Sequence, residues 1–297
     1  MDYFTSLHFS FHPVTLSDRE EMQAVTLQAG RRNCNYTFAN LIGWKFKFHT
    51  EVCVLRDAAI LRFNYEGKRA YMVCTADDDL PEGLVRALLA DSGGELTLYG
   101  LENAQLPFLA SRFSIAVEPV RDLYDYIYRR ADLALLPGGH LQAKRNHINH
   151  FRTGHPDFEY RPLTPDLFDE CRRLTGIWQE EKGASGTIAA ERRVMETFYS
   201  HWEALGMAGG SIFADGHMVA FCFGAAVTHD TFDICVEKAD RDVEGAFAII
   251  NQQFASHLPE QYIYVNREED MGLPGLRKAK LSYHPAILLD FNVVHIA

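Results

Sequence analysis

The sequence is short of positive charge: 29 Lys and Arg stand against 40 Asp and Glu, a formal charge of −11 over 297 residues. A surface of that sign repels phosphate polymers and anionic bilayers at long range. An extended nucleic-acid surface is therefore excluded, and any such contact must come from a local basic patch. Long hydrophobic runs are missing as well. The stretch 216–229 has no Asp, Glu, Lys or Arg, yet it is shorter than the roughly 20 residues of a membrane-spanning helix, so no transmembrane segment is expected. The opening Met1-Asp2-Tyr3-Phe4 lacks a basic segment leading into an apolar one. With no secretory signal visible, a cytoplasmic protein is expected. The six cysteines, at 34, 53, 74, 171, 222 and 235, include no CxxC pair. Zinc sites usually draw on close pairs and disulfides belong to oxidising compartments, so buried, reduced thiols are the reading. The 13 histidines show no HxxxH or HExxH on a helical pattern, and no metal is expected.

What the chain does have is a pattern that occurs twice. With 47% hydrophobic and 23% charged residues it falls among soluble globular proteins, and its length suits two domains. In the second half, apolar segments 211–214 and 218–225 flank Asp215-Gly216, a dipeptide that tolerates positive φ at both positions and so closes a hairpin. Segment 231–237, with Phe232, Ile234 and Val236 on one side, continues the meander. Phe247, Ile250, Phe254 and Leu258 recur at helical spacing, predicting a helix over 244–257. A short strand at 262–265, a short helix at 276–283 and a final strand at 286–294 complete the order βββ-α-β-α-β. The first half yields the same order: strands 52–56, 60–65 and 70–75, helix 84–89, strand 95–99, helix 104–111, strand 114–120. Helical material precedes each set, at 18–28 with 36–41, and at 164–178 with 190–205. Trp44, Phe46 and Phe48 alternate with Lys45, Lys47 and His49, which reads as an amphipathic strand burying its aromatic side. The expected fold is thus α/β with mixed sheets, a tandem duplication with diverged sequence. Its lobes are placed at 1–130 and 156–297. A connector, 131–155, joins them; just before it, Tyr124, Ile127 and Tyr128 fit a helical face. Segment 144–152 carries Lys144, Arg145 and Arg152 without an acid and is the main basic patch.

The βββ-α-β-α-β order resembles the GNAT acyltransferase fold. Particular residues resemble one family: Leu136-Pro137-Gly138, Lys144-Arg145-Asn146-His147-Ile148-Asn149-His150-Phe151, Glu237-Lys238-Ala239, Tyr264-Val265-Asn266-Arg267-Glu268-Glu269-Asp270-Met271-Gly272, and Gly275-Leu276-Arg277-Lys278-Ala279-Lys280-Leu281-Ser282-Tyr283-His284-Pro285, with Trp44-Lys45-Phe46 near the start. They are similar to the tandem-GNAT family that includes the C-terminal catalytic part of phosphatidylglycerol lysyltransferases. The resemblance implies two GNAT-like lobes, the second carrying the active site. It also implies transfer of an aminoacyl group, from aminoacyl-tRNA or a related donor, to a hydroxyl or amine. The long hydrophobic N-terminal region of the membrane-embedded lysyltransferases has no counterpart here, which tells against a lipid acceptor. Where acyl-coenzyme A enzymes of this fold cradle a pyrophosphate at a helix start, this chain has Arg241-Asp242-Val243-Glu244-Gly245-Ala246. Asp240, Asp242 and Glu244 bring negative charge to that place. The first-half counterpart, Ala76-Asp77-Asp78-Asp79, is more acidic still. Coenzyme A is disfavoured and no other cofactor is implied.

Candidate site residues follow. Glu237 ends a strand bordering the expected cleft, where a carboxylate can take a proton from an attacking group; its bland alternative is a pair with Lys238 or Arg241. Asn266, Arg267 and Asp270 lie in a polar loop after the opposite wall strand. There Asp270 could accept a proton or hold an ammonium, and Arg267 could hold a phosphate or carboxylate bidentately. Arg277, Lys278 and Lys280 fall on a helix, with Arg277 and Lys280 sharing a face as an anion clamp, against the alternative of a surface helix answering residues 268–270. Lys144, Arg145, Asn146 and Asn149 form the connector's polar set, either binding an anion or bracing the halves. No Ser-His-Asp or Cys-His pattern stands out, which fits direct attack without a covalent enzyme intermediate. Two other readings fit the same residues: a coenzyme A-dependent N-acyltransferase with an atypical loop, and a non-catalytic protein that binds a small metabolite or peptide.

Overall fold

The computed structural model describes residues 8–75, 80–182 and 186–297; Ala76-Asp77-Asp78-Asp79 and the opening Met1-Asp2-Tyr3-Phe4 lie outside the described residues. The first half runs β1 (His12–Pro13), α1 (Arg19–Thr26), α2 (Phe38–Phe48), β2 (Glu51–Leu55), β3 (Ala58–Tyr65), β4 (Lys68–Thr75), α3 (Glu82–Asp91), β5 (Leu96–Leu101), α4 (Leu106–Ala110), β6 (Ile115–Pro119) and β7 (Asp125–Arg129). Helices α5 (Arg130–Leu135) and α6 (Gln142–Gly154) lead into the second half. That half repeats the order as β8 (Glu159–Pro162), α7 (Phe168–Lys182), α8 (Gly186–Ser200), the extra turn α9 (Trp202–Leu205), β9 (Ala208–Ala214), β10 (His217–Ala226), β11 (Thr231–Ala239), α10 (Ala246–His257), β12 (Tyr264–Asn266), α11 (Pro274–Leu281), β13 (Ile287–Leu289) and β14 (Asn292–Ile296).

Two seven-stranded mixed sheets result, ordered β1-β2-β3-β4-β5-β14-β6 and β8-β9-β10-β11-β12-β7-β13. The repeated order of elements read from the sequence is present, and the fold is a tandem GNAT fold. Short edge strands β1 and β8 supply the first strand that the periodicity of each half did not reveal. The halves also exchange their last strands. β7 inserts antiparallel between β12 and β13, and β14 inserts antiparallel between β5 and β6.

Three expectations change. Tyr124, Ile127 and Tyr128 do not form a helical face: Ile127 and Tyr128 belong to β7, whose Asp125-Tyr126-Ile127-Tyr128 run is buried throughout, as a strand hydrogen-bonded on both edges requires. Trp44, Phe46 and Phe48 are not in a strand but in the last turns of α2, which His49 closes in the left-handed conformation; Trp44 stacks on Phe46 with ring centroids 6.4 Å apart. The segment 286–294 is two strands, because the chain leaves one sheet at Leu289 and enters the other at Asn292.

Side-chain alternation divides the interior into three cores. Val52, Leu61 and Met72 of the first sheet and Phe213, Phe221 and Phe223 of the second face one another across α1, α2 and the α7–α9 helices in a core shared by both halves. Ile60, Tyr71 and Val73 face α3 on the outer side of the first sheet, together with Val294 and Ile296 of β14. Ile212, Ala220 and Cys222 face α10 and α6 on the outer side of the second.

Candidate active site at the splayed strands

β11 and β12 run parallel and pair from Thr231 with Tyr264 to Asp233 with Asn266. Beyond that point β11 continues along β10 to Ala239, while the chain after Asn266 leaves as a loop. A sheet that opens in this way exposes side chains between its layers, and the residues at the fork are polar on both faces.

A β-bulge decides which face each residue takes. Along the β10–β11 pair, Phe223 opposes Val236 but Ala225 opposes Asp233, one residue more on β11 than on β10. Gly224 sits opposite the bulge, where an added Cβ would lie 1.7 Å from the Asp233 carbonyl oxygen. Phe232 and Ile234 pack toward α10 as expected, but Val236 is turned into the shared core, correcting its placement on their side. The same shift turns Glu237 toward α10, away from Asp233 and Cys235.

On the α10 face, Arg267 Nη2 donates to Glu237 Oε1 at 2.8 Å, with only 12% and 14% of the two side chains exposed. Asn251 Nδ2 stands 3.5 Å from the other Glu237 oxygen. The Arg267 guanidinium lies 4.9 Å from the Tyr283 ring centroid and 5.7 Å from that of Tyr128. Its Nη1 is buried without a hydrogen-bond partner. Lys144 of α6 reaches the other contact of Tyr283, with Nζ 4.1 Å from the ring centroid. Burial and the neighbouring Arg267 charge lower the Lys144 pKa. Burial would also lower that of Arg267, but Glu237 holds the guanidinium firmly charged. Two cations with spare hydrogen-bonding capacity and one carboxylate thus meet two aromatic rings. Glu237 does not pair with Lys238, which goes to Glu191 at 2.6 Å.

The remaining candidates are placed differently. Asp270 has no exposed side-chain surface and accepts from Arg277 Nε and Nη2, both at 2.8 Å, from Arg121 at 3.2 Å, from the Tyr126 hydroxyl and from the Gly272 N–H at 2.9 Å. Arg277 also donates to Asp122 at 2.6 Å. This second network ties α11 and its loop to the segment before β7. Lys280 is buried and donates to the carbonyls of Arg267, Glu268 and Glu269, pinning the backbone on which Arg267 sits. Lys278 is exposed. Asn266 Nδ2 bonds Asp125 at 2.8 Å and the Arg32 carbonyl at 2.7 Å, so it joins the two halves. Arg145 donates to the carbonyls of Leu136 and Gly138 and holds the α5–α6 turn. Asn146 accepts from Gln142, and Asn149 is exposed on α6. Of the sequence-predicted residues, Glu237, Arg267 and Lys144 therefore share one spot, with Lys280 behind it.

The opposite face of the fork carries a cluster that sequence reasoning missed. Asp125 accepts from the Cys34 N–H at 2.7 Å and its thiol at 3.3 Å. Asp233 accepts from Thr37 at 2.7 Å, and Asn40 bridges Asp233 and Glu268. Burial, then the nearby Glu269 charge, pushes Asp125 up to about 6, and burial drives Asp233 and Glu268 well above the usual carboxylate range. Three of these residues were beyond reach because Cys34, Thr37 and Asn40 come from the other half of the chain. Tyr283 and Asn251 were missed for a simpler reason: each sits on a helix or just after it, in a segment that reads as core.

At the start of α10, the place of the Arg241-to-Ala246 loop, Gly245 has φ +85° and lies against α6: an added Cβ would stand 2.5 Å from the His147 carbonyl oxygen and 2.9 Å from Phe151 Cβ. Glu244 faces His150 at 3.4 Å.

Among the described residues no helix is long and apolar enough to cross a membrane. No curated protein matches the sequence. Among solved structures, a conserved protein of unknown function from Bacteroides thetaiotaomicron is 39% identical, with a TM-score of 0.91 over 98% of this chain and 100% of that one. The C-terminal domain of a lysylphosphatidylglycerol synthetase from Agrobacterium fabrum has the same fold at 14% identity, with a TM-score of 0.64 over 93% of this chain and 92% of that one. The family model described as phosphatidylglycerol lysyltransferase, C-terminal, matches residues 28–293, so the chain belongs to that family and carries the fold of its acyltransferases.

Proposed function

We propose that the chain is a cytoplasmic acyltransferase that moves an aminoacyl group from aminoacyl-tRNA, or a donor of the same ester chemistry, to a hydroxyl or amine. The observation that carries this reading is the half-buried Glu237–Arg267 pair at the fork, 2.8 Å apart, with Lys144 across the Tyr283 ring. In the reaction the acceptor's oxygen or nitrogen attacks the donor ester carbonyl as Glu237 takes its proton. The oxyanion that forms lies within the field of Arg267 and Lys144, fixed cations in a poorly solvated place. Collapse breaks the ester C–O bond, and the proton on Glu237 passes to the departing hydroxyl. The same two cations would hold a phosphate or carboxylate of the donor or acceptor. Asp270 we assign to positioning α11, and Lys280 to positioning Arg267.

The packing of Gly245 against α6 and the acidic Asp240, Asp242 and Glu244 support a donor other than coenzyme A, since the helix start that would receive a pyrophosphate is partly covered and of the wrong sign. The test is transfer of a radiolabelled aminoacyl group from a mixed aminoacyl-tRNA pool into hydroxyl and amine acceptors, including phosphatidylglycerol. Glu237→Gln should lower the rate by about 10²- to 10⁴-fold, the range of general-base contributions, with the fold intact by circular dichroism. Equal transfer by the variant and the unaltered protein would remove Glu237 from the mechanism, and absence of transfer from every donor would remove the reading.

A further inference from the structure

The face of β11 turned away from Glu237 holds groups that this transfer does not use. Asp233 and Cys235 extend from β11 and Glu268 from the loop after β12, each offering one ligand atom within 4.8 Å of the others. Asp233 is fully buried. Its Oδ2 accepts from Thr37, from Asn40 and from the Cys235 thiol at 3.6 Å, yet its Oδ1 is buried with no hydrogen-bond partner. A carboxylate oxygen in that state is costly unless a donor or a cation reaches it. Lys280, the ammonium nearest in effect to Glu268 and Glu269, points its Nζ at three main-chain carbonyls instead. Cys235 and Glu268 are each partly exposed, so two of the three groups are open to solvent.

We propose that Asp233, Cys235 and Glu268 bind a divalent zinc ion. A thiolate beside two carboxylates favours a borderline-soft ion over calcium or magnesium, which take oxygen ligands alone. Zinc holds such ligands at about 2.0–2.3 Å, so the present spacing closes by side-chain rotation. On binding, the Cys235 thiol and the carboxyl groups of Asp233 and Glu268, which burial holds toward their protonated forms, give their protons to solvent as sulfur and oxygen bond the metal. The neighbouring group of Cys34, Asp125 and Glu269 is equally compact, but both Asp125 oxygens already accept from Cys34 and one also from Asn266, leaving no orphan for a metal. With ligands from the second half and supporting bonds from Thr37 and Asn40 of the first, a bound ion ties the halves together. The inference uses none of the residues assigned to transfer and stands or falls apart from it.

The metal-stripped protein should withdraw one zinc per chain from a chromophoric chelator and gain thermal stability that EDTA reverses. Cobalt in place of zinc should give a thiolate-to-metal charge-transfer band that persists in Cys34→Ser and vanishes in Cys235→Ser. Glu268→Gln, at a partly exposed position that should fold, and Asp233→Asn should each weaken zinc by more than about 10-fold. Absence of zinc uptake, a cobalt band that follows Cys34 instead, uptake unchanged in Cys235→Ser and Glu268→Gln, or stabilisation by methylammonium but not by zinc would each overturn the proposal.

Discussion

Asp270 shows how far a single carboxylate can be committed. Burial alone would raise its pKa, but hydrogen bonds from Arg277, Tyr126 and Gly272 outweigh burial and hold it well below the usual carboxylate range. A group depressed in this way stabilises the folded state above its unfolded pKa, near 3.9 for Asp, and loses that contribution as pH falls toward the folded value. Replacing it by Asn leaves Arg277 and Arg121 without their shared anion. We expect Asp270→Asn to cost about 3 kcal/mol at pH 7, as for a broken buried pair. The gap to the unaltered protein should begin to narrow as the pH falls below about 4. Urea unfolding at pH 7 and pH 3 measures both numbers, and a gap that does not narrow would contradict the assignment. The residue itself was legible beforehand as part of a polar loop. Its partners Arg121 and Tyr126 were not, because they lie about 150 positions earlier in the chain.

At the scale of elements, the β11 bulge separates the two faces of the fork. Without it, Glu237 would sit on the same side as Asp233 and Cys235, and Arg267 would lose the carboxylate it meets. The bulge depends on Gly224, because any side chain there meets the Asp233 carbonyl, and backbone cannot give way as a flexible side chain can. Gly224→Ala should therefore destabilise the protein by about 1–3 kcal/mol, the usual cost of overpacking, and should lower transfer activity at temperatures where the variant is fully folded. Denaturant midpoints and activity measured together check this; a variant of normal stability and activity would mean that the strand pair relaxes without harm. The hairpin before it was readable from Asp215-Gly216, whose φ values of 52° and 81° match the expected turn. The bulge was not readable, since register is a relation between two strands and neither strand states it alone.

For the whole molecule, the exchange of β7 and β14 makes each sheet depend on the other half of the chain. Val294 has no exposed surface, pairs with Leu98 and Val117 on its two sides, and packs in the outer core of the first half. A charge placed there is buried and unpaired. Val294→Asp should remove hydrogen-exchange protection from β5 and β6, nearly 200 positions away in sequence, together with protection of the second half, because the shared core of α2 and α8 couples them. Loss confined to residues near 294 would show that the sheets are independent.

The sequence by itself determined the repeated order of strands and helices, the hairpin turns and the polar loop around Arg267, since these follow from period and turn chemistry within short windows. Only the tertiary structure decided that the last strands change places, that 44–48 ends a helix, that 125–129 is a strand, and that Glu237 and Asp233 face opposite ways. The physical reason is one of range. Backbone preference and alternation act between neighbours, whereas an exchanged strand, a bulge and a cluster joining Cys34 to Glu269 exist only where distant segments supply each other's hydrogen bonds and exclude each other's water.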